Sequence, residues 1–401
     1  MIKYWEMIEL YDVCYKNSHR SYGQSSSSHY TVQVKECSSK RTTESRCYNG
    51  YMNIPTIIVL VGITGDLAKR KLLPALDSLK EKGMLPEHFK LVGITRRDDP
   101  ELFNMDLDNA ADYLRLKDHL QSIEKEWGTV AQRLFYLSVA PKVSLPIIKH
   151  LGDSGISSIE HTKLLLEKPF GLDDIDQYFS EEQVYRVDHY LAKESVRALS
   201  GRSIEESALE RIEVSASEQI GIEGRADFYE QTGALRDFIQ SHLLEVAATM
   251  VSPNNRLQAL QQFYIPTDKP ITEYVHRGQY IGYREAVGHP DSAVETKVSV
   301  TLYSHDSFLK NVSIVLKTGK ALDHKSTDIS VFYNDGAFEI ISLDDMYHVY
   351  ETVFADAIAG KKEFFISKAE VIETHRIIGS IQQAWKANSE DLAFYEQGST
   401  L

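Results

Sequence analysis

A ten-residue stretch, Tyr185 to Glu194, is dense in side chains that could do chemistry. It reads Tyr-Arg-Val-Asp-His-Tyr-Leu-Ala-Lys-Glu and combines two basic residues with carboxylates, phenols and an imidazole. If this stretch opens a helix, His189 and Lys193 lie four residues apart on one face and form a small anion site. Asp188 would then lie near the first turn, where it could orient a base held elsewhere. The same residues would also fit a polar, solvent-exposed helix end.

The composition limits the class of protein. With 401 residues, 42% hydrophobic and 25% charged content, the chain is expected to form two domains. Its formal net charge of −14 argues against non-specific nucleic-acid binding, so no nucleic-acid partner is expected. No window approaches the roughly 18 apolar residues of a membrane span. We therefore expect a soluble protein with no membrane partner.

The first 51 residues differ from the rest of the chain. They contain all three cysteines and the run Ser25 to Ser28, and they show no sustained periodicity. This composition predicts a disordered leader over residues 1–51. Because the main body then has no cysteine, neither a disulfide framework nor a thiolate metal site is expected there, which fits the reducing cytoplasm. Met52 stands just before the first strand pattern, so it is a candidate for the native start.

A strand pattern from Ile57 to Val61 leads directly into glycines and a helix. The sequence Gly-Ile-Thr-Gly-Asp-Leu-Ala-Lys-Arg-Lys follows from Gly62, and a helical pattern continues to Leu79. Such a strand, glycine turn and helix can bind a dinucleotide, because glycines let the backbone approach the pyrophosphate and the helix start supplies donors. The spacing is not the usual G-x-G-x-x-G, and a Gly-x-x-Gly turn can also be simple turn chemistry.

The second strand pattern, Lys90 to Thr95, ends in Arg96 and Arg97 rather than in an acidic residue. Paired guanidinium groups suit a ribose 2′-phosphate, which favours NADP over NAD, although a solvated loop would look the same. A later strand pattern opens into Glu-Lys-Pro around Lys168. A Lys-Pro at a strand's carboxyl end could carry a cis peptide and point a charge into the crevice of the sheet.

Longer strand patterns replace the strand–helix alternation after residue 210. They are Arg211 to Ser217, Ser299 to Tyr303, Val312 to Leu316 and Asp328 to Phe332. A helical pattern from Leu235 to Met250 carries Asp237 and His242. The chain is therefore predicted to hold an α/β Rossmann-like N-terminal domain at 52–187 and an α+β C-terminal domain with a largely antiparallel sheet at 188–401.

Taken together, these motifs resemble the glucose-6-phosphate dehydrogenase family. In chain order, the shared motifs are Gly62–Lys71, Phe135–Pro141, Glu167–Gly171, Arg186–Glu194, Gly233–Leu243, Arg277–Tyr280 and Thr318–Lys320. Each motif alone is weak, but their order is specific. The resemblance covers most of the chain from about residue 56 onward, and residues 1–51 have no counterpart in it.

The resemblance implies oxidation of glucose 6-phosphate at C1 to 6-phosphogluconolactone, with hydride transfer to NADP, in the oxidative pentose phosphate pathway. It makes His242 the general base for the C1 hydroxyl and Asp188 its carboxylate partner. The implied substrate contacts are His189, Tyr190, Lys193, Glu218, Asp237, Lys320, Lys325, Lys71 and Lys168. The implied cofactor contacts are Gly62, Thr64, Gly65, Asp66, Leu67, Arg96, Arg97, Asp106, Leu107 and Lys168. No metal is expected, and a homodimer or homotetramer is implied.

The chain is shorter than the family pattern at three internal places. They are the intervals from Arg97 to Phe103, from Gly171 to Tyr185 and from Lys193 to Glu218. The first leaves almost nothing where the family has a crossover helix, so one layer of helix is expected to be absent.

Two alternatives to an active glucose-6-phosphate dehydrogenase remain open. One is a different two-domain NAD(P)-dependent sugar oxidoreductase, against which the base His242 and the anion set around His189 argue. The other is a non-catalytic ligand-binding relative. Residue types alone do not separate this last possibility from an active enzyme.

Overall fold

Two β-sheets organise the part of the chain that the computed structural model describes, residues 54–97, 99–167, 175–201, 209–345, 348–387 and 391–401. The strands are β1 (Thr56–Val61), β2 (Phe89–Thr95), β3 (Phe103–Asn104), β4 (Gln132–Leu137), β5 (Thr162–Leu166), β6 (Val184–Val187), β7 (Leu209–Ser217), β8 (Phe263–Tyr264), β9 (Val275–Tyr280), β10 (Lys297–Ser304), β11 (Ser313–Gly319), β12 (Ser326–Tyr333), β13 (Phe338–Ser342), β14 (Phe365–Ile366) and β15 (Leu392–Tyr395). The predicted leader and Lys168 with its Lys-Pro peptide lie outside the described residues.

Helices cover both sheets. The α-helices are α1 (Leu73–Glu81), α2 (Ala110–Trp127), α3 (Pro141–Asp153), α4 (Glu194–Arg197), α5 (Ala226–Ala234), α6 (Leu244–Val251), α7 (Arg256–Gln262), α8 (Tyr283–Val287), α9 (Val349–Ala359) and α10 (Lys368–Ala387). Two π-helical segments, Ala68–Leu72 and Leu235–Leu243, run directly into α1 and α6. Short 3₁₀ turns lie at Ile175–Gln177, Glu181–Gln183, Ala198–Gly201, Ile271–Glu273 and Ser307–Leu309.

The first sheet has the strand order β14-β6-β5-β4-β1-β2-β3. Strands β1 to β6 are parallel, and only β14 is antiparallel to its neighbour β6. Every residue of β1 and β4 is buried, as expected for apolar strands that are covered on both faces. The order reverses direction between β1 and β4, which creates a crevice at their carboxyl ends where such sheets bind ligands. The predicted Rossmann-like sheet is confirmed.

The connection from β2 to β3 is short, and its described residues, 96, 97 and 99–102, hold no helix. The expected loss of a crossover helix is therefore confirmed for these residues. The side chains of Ile63 and Leu102 pack against β2 at the buried Gly93, where a Cβ would lie 2.3 Å from Ile63 Cδ1 and 2.8 Å from Leu102 Cδ2. These two side chains supply some of the apolar cover that a helix would have given.

Helix α9 and strand β14 return to the first sheet from late in the chain. The buried side chains of Val353, Phe354 and Ile358 join the apolar cluster that holds residues of β1 and β4. The Gln132 side chain donates to the carbonyl of Ile358 at 3.0 Å, which fixes the end of α9 against β4. Residues far beyond position 188 thus contribute to the core of the first sheet.

The second sheet has the order β13-β12-β7-β11-β10-β9-β15, with β8 paired to β10. Its pairs are antiparallel except β7 with β11 and β9 with β15. Residues along β10 and β12 alternate between buried and partly exposed, so one face packs on the core and the other is open. The predicted, largely antiparallel C-terminal sheet is confirmed, and all four predicted strands form part of it.

Within the described residues, no helix is both long and apolar enough to span a lipid bilayer.

Candidate active site

The centre of the site is a buried pair formed by Asp188 and His242. Asp188 follows β6 directly, and His242 lies near the end of the segment Leu235–Leu243, with the two residues 1% and 5% exposed. Oδ1 of Asp188 lies 2.8 Å from Nδ1 of His242. An ionised carboxylate can only accept, so Nδ1 carries the hydrogen and Nε2 keeps its lone pair. The arrangement is that of an imidazole oriented to take a proton.

A helix that would place His189 and Lys193 on one face does not form. Residues 184–187 form β6, residues 188–193 form turns, and α4 begins only at Glu194. The cause is the Asp188 side chain, whose Oδ1 also accepts the backbone N–H of Tyr190 at 2.7 Å. A local side-chain bond of this kind offers the backbone an alternative to the helix. Asp188 is therefore held at the end of a strand and not in the first turn of a helix.

Aromatic rings and a second imidazole surround His242. The ring centroids of His189, Tyr190 and Phe238 lie 4.3, 4.9 and 5.6 Å from that of His242. One potential metal-ligating atom from each of Asp188, His189 and His242 lies within 4.8 Å of the others, a spacing that could also hold a metal ion. Oδ1 of Asp188 already binds Nδ1 of His242 and the Tyr190 amide. This geometry therefore suits an imidazole that accepts a proton at Nε2 without a metal ion.

Lys193 is almost completely buried beside Tyr190. It is 1% exposed, its ammonium donates to the carbonyl of Leu343, and Nζ lies 3.9 Å from the centroid of the Tyr190 ring. Burial lowers the pKa of Lys193 to about 8, and the like charge of Lys325 lowers it slightly further, while the carboxylates of Asp345, Asp344 and Asp188 oppose this shift. The exposed Lys325 lies just before β12, so the structure brings cations from two distant parts of the chain to one place.

Lys320 and Glu218 form a second polar group at the ends of β11 and β7. Lys320 is 3% exposed, and its ammonium pairs with the Glu218 carboxylate. Nζ of Lys320 also lies 5.3 Å from the centroid of the Tyr229 ring. Burial raises the pKa of Tyr229 far above its usual range, and the nearby negative charge of Asp237 is the next cause. The structure thus brings together three predicted sugar contacts.

Tyr229 was not among the predicted residues. Its ring is fully buried, and its hydroxyl has no hydrogen-bond partner among the described residues. The sequence around Tyr229 does not indicate this placement. The position of Tyr229 in the site depends on Lys320, which is distant in the sequence, and on Asp237, which lies on the next helical segment.

The predicted cofactor turn lies at the carboxyl end of β1. Gly62 has φ 90°, and a Cβ there would lie 2.6 Å from the carbonyl oxygen of Ser138 at the end of β4. Gly65 closes the turn by donating to the carbonyl of Gly62 at 2.9 Å. Thr64 and Asp66 are exposed, and Leu67 is half-buried. The bare backbone beside the crevice, followed by the start of a helical segment, fits the pyrophosphate of a dinucleotide.

The remaining predicted cofactor contacts follow the next two strands. Arg96 and Arg97 are exposed directly after β2, and the Arg97 amide donates to the Thr95 hydroxyl at 3.0 Å. Asp106 and Leu107 follow β3, where the Leu107 carbonyl accepts the hydroxyl of Tyr113 at 2.8 Å. Because parallel strands end at the same edge, all these residues lie on the side of the sheet that carries the glycine turn.

Lys71 is exposed on the segment Ala68–Leu72, which follows the glycine turn. Its predicted partner between substrate and cofactor, Lys168, is outside the part of the chain that can be described.

A Rossmann-like sheet with a glycine turn at its crevice, together with a buried imidazole–carboxylate pair, defines a nicotinamide-dependent dehydrogenase. Comparison with known proteins identifies the family. The family model "Glucose-6-phosphate dehydrogenase, NAD binding domain" matches residues 59–102 and 100–198, and "Glucose-6-phosphate dehydrogenase, C-terminal domain" matches residues 199–347. The chain belongs to the glucose-6-phosphate dehydrogenase family.

Individual relatives agree with this assignment. Glucose-6-phosphate 1-dehydrogenase of Chlamydia muridarum is 31% identical over 366 residues, which cover 73% of this chain and 72% of the relative. A solved structure of a glucose-6-phosphate dehydrogenase in complex with its substrate has a TM-score of 0.75 at 21% identity, covering 87% of this chain and 96% of the other. The enzyme of Mycobacterium avium has a TM-score of 0.71 at 23% identity, covering 86% and 95%. These two structures confirm the fold.

Proposed function

We propose that this chain oxidises glucose 6-phosphate at C1 to 6-phosphogluconolactone and that NADP is its hydride acceptor. The observation that carries the proposal is the buried pair of Asp188 and His242, with 2.8 Å between Oδ1 and Nδ1. The family membership of the chain supports the choice of substrate. NADP rather than NAD is supported by Arg96 and Arg97, two exposed guanidinium groups directly after β2.

In this proposal, Nε2 of His242 accepts the proton of the C1 hydroxyl. The imidazolium that forms is stabilised by Asp188, whose Oδ1 accepts from Nδ1 throughout. A bound nicotinamide supplies the acceptor for the hydride that leaves C1. A base positioned in this way contributes on the order of 100- to 10,000-fold to the rate.

The sugar phosphate is held by His189, Tyr190, Lys193 and Lys325. Support comes from the buried ammonium of Lys193, whose pKa is lowered mainly by burial and to a small extent by the like charge of Lys325. Two ammonium groups held close together provide charge-assisted donors for a phosphate dianion. The half-buried ring of His189 lies beside His242, with 4.3 Å between the two imidazole centroids, and 5.0 Å from the ring centroid of Tyr190.

In this proposal the sugar hydroxyls are held by Glu218, Asp237 and Lys320, and Lys71 and Lys168 are further contacts shared by sugar and cofactor. The pairing of Glu218 with Lys320 supports the first part, because it presents an acceptor and a donor from adjacent strands.

The cofactor lies along the carboxyl ends of β1, β2 and β3. Its contacts in this proposal are Gly62, Thr64, Gly65, Asp66, Leu67, Arg96, Arg97, Asp106, Leu107 and Lys168. The glycine turn at the carboxyl end of β1, closed by the bond from the Gly65 amide to the Gly62 carbonyl and followed by a helical segment, supports the position of the pyrophosphate.

We further propose that residues 52–187 and 188–401 act as cofactor and substrate domains, with α9 and β14 of the second packing on the first sheet, and that the chain forms a homodimer or homotetramer. The open face of the second sheet is a suitable contact surface. Phe338 and Ile340 on its edge strand β13 are 51% and 54% exposed. Contiguous exposed apolar residues of this kind mark interaction sites.

Steady-state formation of NADPH, followed by absorbance, tests the proposed reaction. Glucose 6-phosphate should be oxidised, and free glucose should have a kcat/KM lower by at least about 100-fold, since two or more charge-assisted bonds of about 1.5–3 kcal/mol each are lost. Equal use of the two sugars would contradict the phosphate site. No NADPH from either sugar would contradict the reaction itself.

A further inference from the structure

We propose that Glu295 is a positioning residue that fixes the start of the helical segment bearing Asp237 and His242. This inference rests on the proposed function, because the position of that segment matters for catalysis only if His242 is the base. Glu295 lies 53 positions beyond His242 in the sequence, in the connection between α8 and β10. Its hydrogen bonds run to the backbone amides of Ala234 and Leu235, so its effect on the candidate base would be indirect.

The helix that leads to His242 is interrupted at Gly233. This residue has φ 62° and ψ 178°, which no helix contains, and the helical path restarts at Ala234. A restarted helix exposes backbone N–H groups in its first turn that have no partner within the helix. Because this start is buried, those groups must be satisfied by another part of the chain.

Glu295 satisfies two of them. Its backbone carbonyl accepts the amide of Ala234 at 3.0 Å, and its side-chain Oε1 accepts the amide of Leu235 at 2.9 Å. The side chain is 6% exposed, so water cannot easily replace either bond. A carboxyl group at this end of a helix also interacts favourably with the helix dipole. Glu295 therefore acts as an N-terminal cap supplied from a distant strand connection.

The contact between Gly233 and Glu295 leaves little freedom. A Cβ at Gly233 would lie 2.3 Å from Oε1 and 2.7 Å from Cδ of Glu295. The glycine therefore provides the space in which the carboxyl group sits, in addition to the left-handed φ that it adopts. This tight fit sets the distance between the helix start and the β10 connection.

The same connection reaches the second polar group of the site. The carbonyl of Thr296, the next residue, accepts the amide of Lys320 at 2.9 Å, and the Lys320 ammonium pairs with Glu218. Two adjacent residues thus hold the helix of the candidate base and the strand ends of the candidate sugar contacts in a fixed relation. A displacement of about 1 Å between such groups can cost on the order of 100-fold in rate.

Two conservative variants test the proposal. Glu295→Gln keeps a side-chain oxygen at the same distance from the backbone, so the Leu235 amide retains its acceptor. Glu295→Asp shortens the side chain by one methylene group and moves the acceptor oxygen away from the Leu235 amide. We expect Glu295→Asp to lower kcat at least tenfold and Glu295→Gln to stay within threefold of wild type. The affinity for NADPH, titrated by nicotinamide fluorescence, should be unchanged in both, because the cofactor turn lies on the first sheet.

Glu230 provides a matched control. It accepts the hydroxyls of Tyr283 and Ser292 at 2.6 and 2.7 Å, close to the same connection, but neither bond involves the segment that begins at Ala234. Glu230→Asp should keep kcat within twofold of wild type.

The outcomes separate this inference from the proposed function. If wild-type protein oxidises glucose 6-phosphate and Glu295→Asp keeps kcat within twofold, the positioning role is wrong and the proposed function stands. If Glu295→Gln loses as much kcat as Glu295→Asp, the hydrogen-bond reach is not the cause and the inference is again wrong. If wild-type protein does not oxidise glucose 6-phosphate, the proposed function fails first.

Discussion

Nδ1 of His242 lies 2.8 Å from Oδ1 of Asp188, although the two residues lie on elements associated with different sheets. Asp188 extends from β6 of the first sheet, and His242 lies on the helical segment that packs with the second. The other carboxylate oxygen of Asp188 is buried and has no hydrogen-bond partner among the described residues. Within the described part of the chain, the hydrogen bonds of the Asp188 side chain therefore run through Oδ1, to Nδ1 of His242 and to the Tyr190 amide.

The role of the carboxylate charge is tested by Asp188→Asn. The amide keeps the shape of the contact but removes the charge that stabilises the imidazolium, so kcat should fall by about 10- to 100-fold. The KM for NADP should change little. Steady-state kinetics with both substrates varied would measure this, and an unchanged kcat would show that the charge of Asp188 is not used.

The phosphate site should lose affinity as the solution becomes alkaline. Burial lowers the pKa of Lys193 to about 8, so its ammonium loses its charge as the pH rises through that value, while the substrate phosphate stays a dianion. The KM for glucose 6-phosphate should therefore rise between about pH 7.5 and 9.5. Lys325→Gln should move this rise to higher pH, because the like charge of Lys325 contributes to the depressed pKa. A wild-type KM that stays flat over this range would contradict the role of Lys193.

Cofactor preference should depend on Arg96. Arg96→Ala should raise the KM for NADP by roughly 10- to 100-fold, as expected for loss of a charge-assisted bond of about 1.5–3 kcal/mol, and leave the KM for NAD nearly unchanged. Arg115→Ala is a suitable control, since Arg115 lies near the same strands but pairs with Asp112. Equal losses with both cofactors would remove Arg96 from 2′-phosphate recognition.

Glu295 should also affect the pH dependence of stability. Burial raises its pKa from 4.5 to about 7, against the opposing effects of the Leu235 amide and, more weakly, Arg277. Between these two values the folded state holds a proton that the unfolded state has released, so the free energy of unfolding falls as the pH rises, and it levels off above about pH 7. Glu295→Gln lacks this slope and should be more stable than wild type at pH 8 by about 2–3 kcal/mol. Urea unfolding at pH 5 and pH 8 would measure the difference, and parallel pH profiles for the two proteins would contradict it.

Much of the fold could be predicted because its signals are local. The β-branched run before Gly62 and the alternating strands after residue 210 identify a buried parallel strand and a half-exposed sheet from side-chain pattern alone. The described residues between Arg97 and Phe103 hold no helix, as was expected from the shortness of this interval.

Other features depend on tertiary contacts that no local pattern contains. Residues 188–193 form turns and not a helix because the Asp188 side chain accepts from the Tyr190 amide. The burial of Asp188 beside His242 favours this turn conformation. The return of α9 to the first sheet depends on packing between residues some 200 to 300 positions apart. Glu295 looks like an ordinary surface carboxylate in the sequence. Only Gly233, two residues before the predicted helical pattern, is a sequence signal for the break that Glu295 caps.

The measurement that tests the account most directly is the rate of NADPH formation from glucose 6-phosphate by wild-type protein and by His242→Asn. If His242 takes the C1 proton, the variant should lose about 100- to 10,000-fold in both kcat and kcat/KM while KM stays nearly intact, because the lost interaction develops only in the transition state. A His242→Asn protein whose activity is within twofold of an active wild type would contradict the central claim.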